Sequence, residues 1–227
     1  MSYKYSLAHN QWAYLFSEEK NVSILKGLNL TIYSCKERLE GNSFYRDNEQ
    51  GILCEEFDTK RDNLIYYSKE ASNILEIGFN GGHSCLLFLL SNPTSKIQLF
   101  DLGEHSYSRK CFEYLDRIFP GRLSIVWGDS SKTLPEFITK YLSETNMKYD
   151  LIHIDGSHDI KILDSDIVNC QKLSSPYTIV IIDDISFHPD HMIKPLTKLV
   201  VEKLIERSLI QVVPPLFSNF HIIVKFN

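Results

Sequence analysis

The chain has 227 residues, of which 43% are hydrophobic and 23% charged, enough for one domain with a full core or one domain with a substantial added segment. The formal net charge of −5 argues against a nucleic-acid partner held by bulk electrostatics. Five cysteines, odd in number and without a CxxC pair, fit a reducing compartment better than a disulfide framework.

The first residues, MSYKYSLAHNQW, lack the apolar core of a signal peptide. No run approaches the roughly 18 apolar residues of a membrane helix, so the sequence reads as cytoplasmic, with no membrane partner. Residues 1–70 are the least regular. NVSILKGLNLTIYSCKERLE is a weak helical pattern, and FYRDNEQGILCEEFDTKRDNLIYYSKEAS reads as a loop followed by a helix ending near Ala71. This is more than an α/β domain needs, and it is taken as an N-terminal helical cap or lid on a domain spanning 71–227. The alternative is a solvated extension with no role at the site.

From Asn73 onward short apolar runs alternate with helical segments. The runs are Ile74–Ile77, Ile97–Phe100, Leu123–Trp127, Leu151–Ile154 and Thr178–Ile182. Between them lie Ser84–Leu90, Tyr107–Phe119, Thr133–Leu142 and Ile160–Leu173. Strands apolar on both faces, alternating with helices, predict a parallel sheet covered on both sides. In the second helix Cys111, Phe112, Leu115, Ile118 and Phe119 share a face. In the fourth, Asp159 is a candidate N-cap, with Ile160, Leu163, Ile167 and Cys170 inward. A fifth helix over Met192–Arg207 presents Leu196, Leu199, Val200 and Ile205. The last two runs, Leu209–Val213 and His221–Phe226, are joined by a connection too short for a crossover helix, so they should pair antiparallel. The fold expected is a Rossmann-like doubly wound α/β sheet, mostly parallel, closed by a C-terminal antiparallel hairpin.

The stretch NILEIGFNGGHS is a strand, a glycine loop (Gly78, Gly81, Gly82) and a helix start, a surface where backbone can approach a ligand closely. Asp101 ends the second strand, where a carboxylate can accept both hydroxyls of a ribose. Asp129, after the third strand, would share that sheet edge and could take a hydrogen bond from an adenine amino group. The loop departs from GxGxxG and no Gly-Lys-Ser/Thr follows, so neither a phosphate-cradling loop nor a dehydrogenase is supported.

Two further runs, LIHIDGSHD and VIIDDIS, end the fourth and fifth strands in Asp155 and in Asp183-Asp184. Adjacent parallel strands would bring the three carboxylates to one edge, where they repel unless a cation or protons intervene. All-oxygen ligation favours Mg²⁺, Mn²⁺ or Ca²⁺ over zinc.

In LEIGFNGGHS, FDLGEHSY, GDSSKTL, the Asp-Gly-Ser-His run and the terminal hairpin, residues Asn73 to Asn227 resemble the class I S-adenosylmethionine-dependent methyltransferases. The resemblance implies that Glu76, Gly78 and Ser84 surround the methionine part of the donor, Asp101 the ribose, and Asp129 with Ser130 the adenine. Asp183-Asp184 with Asp-Gly-x-His before it is similar to the metal-dependent macrolide sugar O-methyltransferases. That implies His158 as base, with Asp155, itself counted in the catalytic pair, joining Asp183 and Asp184 as ligands of Mg or Mn.

An imidazole with a pKa near ~6.5 is too weak a base for a free sugar hydroxyl, so metal and histidine would act jointly. The acceptor expected is a small molecule or glycan with a free hydroxyl, most simply a sugar. A phenol or catechol acceptor and a non-catalytic binding subunit of the same fold are the alternatives, and a homodimer is left open. His188 and His191, an i, i+3 pair, read as surface histidines, with a second metal site or an alternative base as the other reading; His153 reads as a core histidine, and His83 and His105 as packing or peripheral contacts.

Overall fold

A computed structural model describes residues 11–45, 53–145, 147–185, 196–213 and 220–227. Three helices come first: α1 (Gln11–Leu15), α2 (Glu19–Ser34) and, after a short 3-10 turn at Glu55–Phe57, α3 (Asp58–Ser68). The alternation then runs β1 (Asn73–Ile77), α4 (His83–Ser91), β2 (Lys96–Asp101), α5 (Ser108–Ile118), β3 (Leu123–Trp127) and α6 (Ser130–Glu144). It continues with β4 (Leu151–Ile154), α7 (Ile160–Lys172), β5 (Ile179–Ile182), α8 (Leu196–Glu206), β6 (Ile210–Val212) and β7 (Ile222–Phe226).

The strands form one seven-stranded sheet in the order β3-β2-β1-β4-β5-β7-β6, parallel from β3 to β5 and antiparallel through β7 and β6. The expected doubly wound sheet and its antiparallel end are therefore present. Residues 214–219 of the hairpin connection, and residues 186–195 with His188, His191 and Pro195, lie outside the described residues.

Successive strand residues face opposite sides of the sheet. Ile74, Leu99, Leu151, Ile181 and Ile223 join α2, α3, α4 and α5 in one core. Leu75, Phe100, Ile152, Val180, Ile182 and Val224 join α6, α7 and α8 in the other. Helix α4, HSCLLFLLS, is buried from His83 to Leu89, as befits a helix apolar on all sides.

Two helix starts are set by carboxylates. Asp129 accepts from the backbone of Ser131, starting α6 three residues earlier than the apolar pattern predicts. Asp159 accepts from Lys161 and Ile162 at α7, the expected cap; Leu163, Ile167 and Cys170 are buried there, but Ile160, in the first turn, is exposed. In α8 the buried stripe is Thr197, Val200, Val201 and Leu204, at helical spacing, while Leu199 and Ile205 lie on the exposed side.

All five cysteines are free thiols. No helix among the described residues is long and apolar enough to cross a membrane.

Candidate active site

The sheet order turns at β1 and β4: from β1 the chain proceeds outward to β2 and β3, and from β4 in the other direction. Ligands of open α/β sheets bind outside the strand carboxyl ends at such a point. Here the two ends touch. Gly78, following β1, has φ +96°, and a Cβ on it would lie 1.9 Å from the backbone oxygen of Asp155, following β4. Gly82 starts α4 at φ +78°, where a Cβ would meet the Phe79 ring at 2.8 Å. Both positions require glycine.

Asp101 ties the rim together. Its Oδ2 accepts from the backbone of Asn80 in the glycine loop, and its Oδ1 from the backbone of Gly103, each at 2.7 Å. Two lone-pair positions remain on that half-buried carboxylate for outside donors. The N-terminal segment reaches the same loop. Asn80 Nδ2 donates to the carbonyls of Glu40 and Gly41, and the Tyr107 hydroxyl donates to Asn80 Oδ1. Glu37 accepts from Ser106 and is bonded to His105, contacts that hold its carboxyl down at about 2.

Beneath the loop, Glu76 is fully buried. Its Oε1 accepts from the Ser84 hydroxyl and lies 3.0 Å from His153 Nδ1. A carboxylate accepts, so Nδ1 carries the proton of this bond. Glu76 Oε2 and His153 Nε2 are both buried without a hydrogen-bond partner. His153 is thus a core histidine satisfied on one side only. Ser130 and Asp129 lie together at the start of α6, but Ser130 Oγ donates inward to Asp166 Oδ2 at 3.0 Å and Asp129 is occupied as a cap. His83 is buried against Phe44 and Tyr45, and burial pushes it down to about 4.

At the ends of β4 and β5 the structure brings Asp155 and Asp183 together with His153; the three offer ligand atoms within 4.8 Å of one another. Asp184 is not with them. Its backbone sits at φ +58°, a left-handed conformation tolerated by Asp, and its carboxylate pairs with His158 Nε2 instead. That pair is outward-facing, with side chains 70% and 46% exposed for His158 and Asp184. The hydrogen bond to Asp184 raises the His158 pKa above its ordinary value, against some loss from burial.

Between Asp155 and Asp183 stands a residue that the sequence pattern does not single out. Lys60, from α3, donates its ammonium to Asp183 Oδ2 and lies 3.9 Å from Asp155 Oδ2. Burial opposes its charge, but Asp183, Asp155 and Asp184 outweigh burial and keep its pKa raised. For Asp183 burial acts upward and Lys60 outweighs it, holding the carboxyl down at about 2, while burial and the Asp183 charge push Asp155 well up. Lys60 lies in the polar and charged run Lys60-Arg61-Asp62-Asn63, all four of which are buried. Periodicity carries no signal for it. Of the three ligands expected for magnesium or manganese, Asp184 is paired with His158 and the other two hold the Lys60 ammonium, so an ion on His153, Asp155 and Asp183 would require Lys60 to leave.

Residues 75–185 match a family described as "Methyltransferase domain". About half of the chain thus carries a methyltransferase domain. No curated protein sequence matches it. Among solved structures it is similar to an O-methyltransferase from Bacillus cereus in complex with SAH, at 16% identity and a TM-score of 0.63, over 90% of this chain and 91% of that one. It is also similar to the O-methyltransferase TomG from Streptomyces achromogenes, involved in tomaymycin synthesis and in complex with SAM (18% identity, TM-score 0.57, over 75% and 80% of the chains). A third is the MycE methyltransferase from the mycinamycin biosynthetic pathway, in complex with Mg and SAH (17%, TM-score 0.52), where this chain covers 50% of the other. At these identities the likeness is one of fold, that of S-adenosylmethionine-dependent O-methyltransferases.

Proposed function

We propose that this methyltransferase acts on a hydroxyl group of a small molecule or glycan, with His158 as the base. The observation that carries this reading is the His158–Asp184 pair at the rim of the β4 and β5 ends. A carboxylate bonded to one ring nitrogen orients the imidazole and leaves the other nitrogen to take a proton. The donor supplies an electrophilic methyl on a sulfonium. Glu76 Oε2, a buried acceptor without a partner, suits the ammonium of its methionine part. Gly78 keeps the strand end free of a side chain. Asp101 offers its remaining lone pairs to the ribose, and Asp129 with Ser130 is assigned to the adenine, for which Ser130 would have to turn away from Asp166.

Two acceptor classes are compatible with this rim. A sugar hydroxyl is supported by the Asp-Gly-Ser-His run and its resemblance to the macrolide sugar O-methyltransferases. A phenol is supported by the Lys60 ammonium, which occupies the space between Asp155 and Asp183.

The test has two parts. Calorimetry with S-adenosylmethionine should show binding that Asp101→Ala weakens, and mass spectrometry over a panel of sugars, glycans and phenols should detect a product heavier by one methylene. His158→Ala should then lower kcat by roughly 100-fold or more while leaving donor binding intact. Unimpaired turnover in that variant would remove His158 from the chemistry.

A further inference from the structure

The two carboxylates that end β4 and β5 already have a cation, and the chain itself supplies it. The Lys60 ammonium is bonded to Asp183 and is 3.9 Å from Asp155, with its side chain only 8% exposed. Its helix is pinned on either side. Arg61 donates to the carbonyls of Ser43, at 2.9 Å, and Cys54, at 3.0 Å, and Asn63 Nδ2 lies 2.9 Å from His221 Nε2. Backing Lys60 out would disturb this buried network. An ammonium and a divalent ion sharing Asp155 and the fully buried Asp183 would repel. Asp184, which could have completed a ligand set, is committed to His158.

We infer that Lys60 is the permanent cation of the acceptor site, standing in place of a divalent metal, and that the acceptor is therefore an acidic hydroxyl of the phenol class. This deepens the methyl-transfer reading and rests on it. Without a metal to acidify the acceptor, the proton must go to His158 unaided. A phenol, with a pKa of about 10, is within a few units of an imidazole; an alcohol, close to water at ~16, is not. In the step, the phenolic oxygen forms the O–CH₃ bond while the methyl–sulfur bond breaks with its electron pair going to sulfur. The sulfonium becomes a thioether, and the phenolic proton passes to His158, so the positive charge ends on the imidazolium. Lys60 touches none of the reacting atoms. It is a positioning residue that keeps Asp183 ionised and the β4–β5 edge assembled.

Manganese binding to the full chain, followed by electron paramagnetic resonance with S-adenosylhomocysteine present, tests this apart from activity. Wild-type protein should leave Mn²⁺ free. Lys60→Met, which keeps the apolar stem and removes the charge, should bind the ion at least ~10-fold more tightly. Lys60→Arg should behave as wild type. Chelator should leave turnover of phenols unchanged within about twofold, with sugar alcohols unmodified.

Tight Mn²⁺ binding by the wild type, turnover abolished by chelator, or methylation of sugar alcohols in its presence would each overturn the inference. Should Lys60→Met fail to fold, wild-type Mn²⁺ binding and the chelator series decide alone. Absence of donor binding in calorimetry would sink the methyl-transfer reading instead, and the Mn²⁺ result would still decide whether Lys60 takes the place of a metal.

Discussion

Asp166, on the inner face of α7, is almost completely buried and has one donor, the hydroxyl of Ser130; its other oxygen has none. Burial raises its pKa to about 6, against the lowering by Ser130. A folded-state pKa above the unfolded one means that ionisation costs stability. The cost is absent below the unfolded value near ~3.9, grows as pH rises toward about 6, and is complete above it. Asp166→Asn removes the charge while an amide oxygen can still accept from Ser130. The variant should therefore match wild type near pH 4 and exceed it by about 1–3 kcal/mol at pH 7.5, as read by urea denaturation across the pH range. A constant difference at all pH values would mean that Asp166 does not titrate there. Gly78 makes the opposite case. With φ at +96° and the Asp155 oxygen 1.9 Å from a hypothetical Cβ, Gly78→Ala should lose donor binding and cost more than ~2 kcal/mol of stability, measurable by calorimetry and thermal unfolding.

Helix α3 shows where sequence reading stops. Strands β1, β4 and β5 were legible because each is a short apolar run almost wholly buried, and Asp159 was legible as a cap because its chemistry is local. The ends of β1, β2, β4 and β5 follow from the alternation, and so did Gly78, Asp101, Asp155 and Asp183. What could not be read is how charges from α3 are satisfied by partners far along the chain: Lys60 by Asp183, Arg61 by carbonyls of Ser43 and Cys54, Asp62 by the backbone of Trp12. Buried charges look like surface charges until their partners are placed. The turn that points Asp184 to His158 is likewise set by one dihedral. Arg61 gives a test at this scale, since its guanidinium also lies 4.3 Å from the Trp12 ring centroid. Arg61→Met should cost about 3–5 kcal/mol by stranding carbonyls in the interior. Arg61→Lys should recover less than half of that, because one ammonium cannot reproduce the fork. Equilibrium urea unfolding of the two variants gives both numbers.

At the scale of the whole molecule the question is whether residues before Asn73 sit on a finished domain or help to make it. Ile24, Leu28, Ile32 and Phe44 lie in the same buried cluster as Ile74, Leu86, Leu99 and Ile223. The sheet face beneath α4 is thus shared between the N-terminal helices and the alternating region. The opposite face has its own cover in α6, α7 and α8. Removing α1 to α3 would bare the outer side of α4, a helix apolar all round, and would leave Asp183 buried without Lys60. Losses of that kind act on one core and so should be cooperative. A chain shortened to residues 71–227 should keep far-ultraviolet helix signal, lose near-ultraviolet signal and bind a hydrophobic dye, the signature of lost packing. The intact protein should unfold in one transition, with ligand binding at the glycine loop raising the midpoint of the whole. If the shortened chain instead melts sharply and binds S-adenosylmethionine, the N-terminal helices are a separable cap. Their role would then be confined to Lys60, to the Glu40 and Gly41 contacts with the glycine loop and to the Glu37 contact with Ser106.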